Sequence, residues 1–96
     1  MARFAVVIHP RFPKELEAIK RAGRKDIAGR ILPALRLLEQ DPFQARPGLD
    51  IKPLAIAGGS VFRLRVGDYR ILYEVDVASK KVFVTTLFHR GRGSRQ

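Results

Sequence analysis

Arg63, Arg65 and Arg70 flank a turn signal, Gly67-Asp68, and together they could hold an anion. The runs on either side, Val61 to Val66 and Tyr69 to Val75, alternate apolar and polar residues with the period of a strand. Between them, Gly67 can take the positive φ of a primed two-residue turn. A hairpin closed there sets Val66 against Tyr69, Arg65 against Arg70 and Leu64 against Ile71. Arg63 then lies on the arginine face, two residues from Arg65. Like charges directly opposite each other across a strand pair are destabilising. A chain shaped by folding alone would carry Thr, Glu or an apolar residue at one of those positions, so the pair points to an anionic ligand. The same residues also fit a solvated sheet face that is merely basic.

The elements that must position this hairpin belong to one domain, since 96 residues bury a single core and not two. Lys and Arg number 19 against 9 Asp and Glu, a net charge of +10, which makes a polyanion the leading partner class. The excess is +5 in each half: 10 basic and 5 acidic residues in 1–48, 9 and 4 in 49–96. An apolar fraction of 46% fits a globular protein. There is no cysteine, which removes disulfides, zinc knuckles and thiol nucleophiles, and only His9 and His89 supply imidazoles, so no metal site is expected. The N-terminal apolar run is too short for a signal peptide or a membrane span, so a cytoplasmic protein is expected, without membrane association.

Arg3 to Ile8 reads as a first strand ended by Pro10, with Phe4, Val6 and Ile8 on one face. Phe12, Leu16 and Ile19 then have helical spacing, with Pro13 in the first turn and Gly23 as the stop. A second helix runs from about Asp26 to Glu39, its stripe formed by Ile27, Ile31, Leu35 and Leu38. Pro33 inside it implies either a kink or a second half beginning near Ile31. Phe43 to Pro53, with its prolines, glycine and mixed charge, reads as a loop. After Gly58-Gly59 come the hairpin and, beyond a polar turn over Asp76 to Lys80, a last strand from Val82 to Phe88. The expected fold is α+β: an N-terminal strand, two helices, then a three-stranded antiparallel meander with the helices packed on one face of the sheet. The whole chain, 1–96, is expected to form a single domain, with residues 91–96 expected as a mobile basic tail.

That order of elements, together with Ile51-Lys52-Pro53-Leu54, the run from Phe62 to Val75 and Phe88-His89-Arg90, resembles the RelE/ParE toxin superfamily of bacterial type II toxin–antitoxin systems over nearly the whole chain. RelE-like members are ribosome-dependent ribonucleases that cut messenger RNA in the decoding site and so inhibit translation. The resemblance implies a reaction without metal or cofactor, in which the ribose 2′-OH attacks the adjacent phosphate and the 5′ oxygen leaves. It puts Arg63 and Arg65 on the family's paired basic residues, Arg70 on its next-strand arginine, and Arg90 on the arginine after the last strand. Arginine suits the phosphorane because its fixed fork matches phosphate oxygens and keeps its charge. Lys52, Arg92 and Arg95 are expected as further RNA contacts. A cognate antitoxin protein, the ribosome and mRNA are the implied partners.

One part of the motif is missing. RelE-like ribonucleases usually carry a tyrosine after that last arginine, where it takes part in acid/base chemistry, and the segment Gly91 to Gln96 has none. Arg63 and Arg65 also stand where lysines are usual, and arginine is a poor general base. His89 is the remaining proton-transfer candidate, since an imidazole titrates near neutrality; the alternative is a plain strand-end histidine. His9 reads as structural or exposed, and Tyr69 and Tyr73 as core or edge packing. Two other functions fit the same chain: a ParE-like inhibitor of DNA gyrase, which uses the fold without the ribonuclease residues, and a degenerate member that binds RNA or ribosomes without cutting.

Overall fold

The computed structural model describes residues 3–54 and 60–89. Its elements are β1 (Ala5–Ile8), α1 (Arg11–Arg21), α2 (Lys25–Leu38), β2 (Asp50–Pro53), β3 (Val61–Val66), β4 (Tyr69–Asp76) and β5 (Lys81–His89). α1 starts where His9 Nδ1 accepts the backbone N–H of Arg11 at 3.1 Å, so this histidine is structural. Pro13 falls within the first turn, where a missing N–H costs nothing. Phe12, Leu16 and Ile19 are buried as their spacing requires. The helix ends in a Schellman motif: Gly23, at φ 88°, donates to Lys20, and Arg24 donates to Ile19.

In α2 the expected stripe is buried, joined by Ala28 and Ala34. The helix runs unbroken through Pro33, so no second helix begins near Ile31. Both helices cover one face of a five-stranded sheet in the order β1-β5-β4-β3-β2, with β1 parallel to β5 and the remaining pairs antiparallel. The first strand and the meander are therefore present as expected.

One element corrects the sequence reading. Phe43 to Pro53 is not all loop: residues 50–53 form β2, paired with β3 at the sheet edge. Leu49 and Ile51 are buried while Asp50 and Lys52 point outward, which is a strand's alternation. Pro53 is tolerated because an edge strand has one unpaired side. The segment leading into β2 is pinned from three directions. Arg46 donates to the carbonyls of Leu37, Asp41 and Gln44. The Tyr73 hydroxyl, fully buried, donates to Pro42 O at 2.7 Å. Phe43 packs edge-on against Phe4 and Phe62, and Phe62 stacks on Tyr73. These contacts fix where the edge strand delivers its polar side chains.

The hairpin turn is held just as firmly. Gly67 has φ 58°, and a Cβ there would lie 2.5 Å from Ile27 Cδ1 on α2. The turn needs glycine for its backbone, whereas the contact with the helix is with the tip of a flexible side chain that can shift. Arg24, between the helices, pairs with Asp68 at 4.0 Å.

Candidate functional site

Strand alternation divides β3 and β4 between two environments. Phe62, Leu64, Val66, Ile71, Tyr73 and Val75 are buried beneath the helices. Arg63, Arg65 and Arg70 stand on the opposite face, which neither α1 nor α2 covers. The register is the one the turn predicts, with Arg65 opposite Arg70 and Leu64 opposite Ile71. β2 extends the pattern, since Lys52 pairs with Arg63 and Asp50 with Arg65. Directly opposed residues share a face, so two rows cross the sheet: Asp50, Arg65, Arg70 and Phe88, and beside it Lys52, Arg63, Leu72 and Thr86. Four cations are gathered on three strands, with the half-buried Leu72 and Phe88 next to them.

Asp50 sits among them. Its Oδ1 is 3.4 Å from Arg63 Nη2 and its Oδ2 is 3.9 Å from Arg65 Nη1. The Arg63 side chain is only 19% exposed, whereas Arg65 and Asp50 are about half exposed, at 47% and 54%. Arg63 Nε is buried without a hydrogen-bond partner among the described residues. Glu74 shares this face further along the strand, opposite Val61 and Phe83, and makes no ion pair among the described residues. The arrangement offers fixed guanidinium forks whose geometry suits tetrahedral or planar oxyanions, with an apolar floor beside them.

His89 is elsewhere. It pairs with Tyr69 across β4 and β5, the rings edge-to-face at 5.1 Å. Tyr69 packs against the core, so His89 lies on the helix side of the sheet, beside a cavity of about 520 Å³ lined by Glu15, Ala18, Ala22 and Leu87. The cause is a β-bulge. Tyr73 pairs with Val84 and Leu72 with Thr86, which leaves Thr85 as an extra residue. Thr85 Oγ1 donates to Leu72 O at 3.1 Å and anchors it. Beyond the bulge the parity of β5 inverts, so Leu87 and His89 turn inward and Phe88 joins the arginine face. Glu15 of α1 accepts the Leu87 backbone N–H at 3.1 Å where β1 no longer covers that edge.

The structure therefore brings together Lys52, Arg63, Arg65 and Arg70, and separates His89 from them. Arg90, Arg92 and Arg95, with the tail 91–96, lie outside the described residues. Tyr73 is core and Tyr69 edge packing, as their pattern suggested. Asp50 was missed, although the alternation Leu49-Asp50-Ile51-Lys52 was there to be read. Glu15 carries no such signal, because its partner is a backbone N–H 72 residues away. Among the described residues no group of three or more His, Cys, Asp or Glu side chains is arranged to hold a metal ion.

The model of the family described as ParE toxin of type II toxin-antitoxin system, parDE, matches residues 6–93. The chain belongs to the RelE/ParE superfamily of type II toxin–antitoxin toxins. The toxin is similar to a chain of the archaeal RelE–RelB complex from Pyrococcus horikoshii OT3, at 31% identity over 96% of its own length and 99% of the other's, with a TM-score of 0.77. A chain of the RelBE2 toxin–antitoxin complex from Mycobacterium tuberculosis has 22% identity, 94% coverage of each chain and a TM-score of 0.71. One from the DinJ–YafQ complex of E. coli has 10% identity, coverage of 94% and 96%, and a TM-score of 0.73. These last two likenesses are of fold. No curated protein matches the toxin. Among the described residues no helix of the toxin is long and apolar enough to cross a membrane.

Proposed function

We propose that the toxin is a ribosome-dependent mRNA endoribonuclease that stops translation, with the open sheet face as its phosphate-handling surface. The observation that carries this reading is the convergence of Arg63, Arg65 and Arg70 on one face with Lys52 beside them. The 31% identity to a chain of a RelE–RelB complex supports it. In the reaction, the 2′-OH of one nucleotide gives its proton to water and attacks the neighbouring phosphorus, a pentavalent phosphorane forms, and the P–O5′ bond breaks as the 5′ oxygen takes a proton from water, leaving a 2′,3′-cyclic phosphate. Arg65 and Arg70 neutralise the two developing charges across the strand pair; removing one donor of this kind costs about 10² to 10³ in rate. Arg63 orients the same phosphate, Lys52 holds a flanking one, and Arg90, Arg92 and Arg95 extend the contacts along the message.

Arginines hold charge but do not shuttle protons. His89 stands on the far side of the sheet, so this reading gives it no contact with the phosphate held by Arg65 and Arg70. The cognate partner is an acidic antitoxin segment that lies across the basic face, ordering as it binds. Action on ribosomes places the toxin in the cytoplasm.

A second reading, inhibition of DNA gyrase, is favoured by the family model's ParE description and by the absence of tyrosine from residues 91–96. Primer-extension mapping of a defined message in a purified translation system separates the two. The ribonuclease reading expects cuts that appear only when the message is translated. Uncut message at every dose, with loss of supercoiling by purified gyrase, transfers the assignment to the second reading.

A further inference from the structure

The edge strand brings an acid into the middle of the arginine face. Asp50 lies directly opposite Arg65 and one step along from the Lys52–Arg63 pair. Its two oxygens serve two different guanidinium groups, Oδ1 toward Arg63 at 3.4 Å and Oδ2 toward Arg65 at 3.9 Å. That is how two oxygens of a bound phosphate would divide themselves between the same forks. The contacts are long and Asp50 is about half exposed, so the carboxylate is held loosely; exposed pairs of this kind are worth at most about 1 kcal/mol. It also puts a negative charge at the head of the row Asp50, Arg65, Arg70, which offsets the like-charge pair from the other side.

We infer that Asp50 is the resident counter-anion of this face: it occupies the inner arms of Arg63 and Arg65 in the free toxin and is displaced by an incoming phosphodiester. The inference rests on the reading of the face as a phosphate site. It makes Asp50 a specificity-determining residue. A stray polyanion must compete with a carboxylate already in place, whereas a message held by further contacts along its length displaces it. Asp50 thereby lowers the toxin's affinity for arbitrary anions without removing any of its cations.

Competition predicts a sign that a merely structural role does not. In 15N-labelled toxin, the arginine Nε–Hε resonances are followed during titration with inorganic pyrophosphate, for the native protein, Asp50→Asn and Asp50→Glu. Asp50→Asn is expected to bind about fivefold more tightly, the equivalent of about 1 kcal/mol. Asp50→Glu, which keeps the charge, is expected to stay near the native affinity. With a single-stranded RNA oligonucleotide, the slope of log K against log salt should steepen by about 0.7 for each additional phosphate engaged. Equal or weaker pyrophosphate binding by a folded Asp50→Asn variant overturns the inference while leaving the phosphate reading intact. No shift of the Arg63 and Arg65 resonances in any of the three proteins overturns both.

Discussion

The two faces of the β3–β4 hairpin are built from alternate residues of the same strands and solve opposite problems. On the covered side, Leu64 and Ile71 are opposed, both with no exposed surface, and each gains from its neighbour. On the open side, one residue away, Arg65 and Arg70 are opposed and each costs its neighbour. The shared backbone means that the favourable side holds the unfavourable side in place. Repulsion of at most about 1 kcal/mol between two arginines is small beside the ~1.5–3 kcal/mol from burying each large apolar side chain below them. A sheet with one dry, well-packed face can therefore keep a charge cluster that would scatter on a flexible loop.

That comparison can be broken from the covered side first. Leu64→Ala is expected to destabilise the toxin by about 2–5 kcal/mol, because it removes a fully buried side chain between α2 and the sheet. Chemical denaturation checks this; a loss below about 1 kcal/mol would mean that the covered face is not what holds the open one. Smaller is Tyr73→Phe, which removes a hydrogen bond to Pro42 O worth about 1 kcal/mol.

The tyrosine also gives that side a pH dependence. Burial raises the Tyr73 pKa well above its ordinary value, an effect which nearby Arg46 reduces and Asp41 reinforces. The folded toxin keeps this proton while the unfolded chain releases it above about pH 10. The contribution to stability is therefore fully present below about pH 10 and declines as pH rises further. Melting temperatures across that range should fall more steeply for the native toxin than for Tyr73→Phe. Parallel slopes would remove the buried phenol from the account.

How much of this could be read from the chain depended on how local the signal was. The hairpin register was legible because a two-residue glycine turn fixes pairing within a few residues of itself. The end of α1 was legible because Gly23 supplies the left-handed residue a Schellman motif needs. β2 was not, since prolines and a glycine surround a strand only four residues long. The alternation from Leu49 to Lys52 hints at a strand, but its pairing with β3 comes from the far side of residues 55–59 and has no short-range signal.

The position of His89 was the costlier loss. Unbroken alternation from Val82 and Val84, both buried, would bury Phe88 and put His89 with the arginines. One extra residue at Thr85 reverses that, and a bulge leaves no mark in hydrophobic pattern beyond two adjacent threonines. That the three arginines share one face was thus written in the sequence, and which other groups share that face was written only partly.

The most direct test of the central claim is the Arg65→Ala/Arg70→Ala double variant, assayed by primer extension on translated message and by thermal unfolding on the same preparation. The account predicts that cleavage falls by at least about 10²-fold, while the melting temperature holds or rises as the opposed charges disappear. Undiminished cutting by the folded double variant would contradict it, because the open face would then be a basic surface that the chemistry does not use.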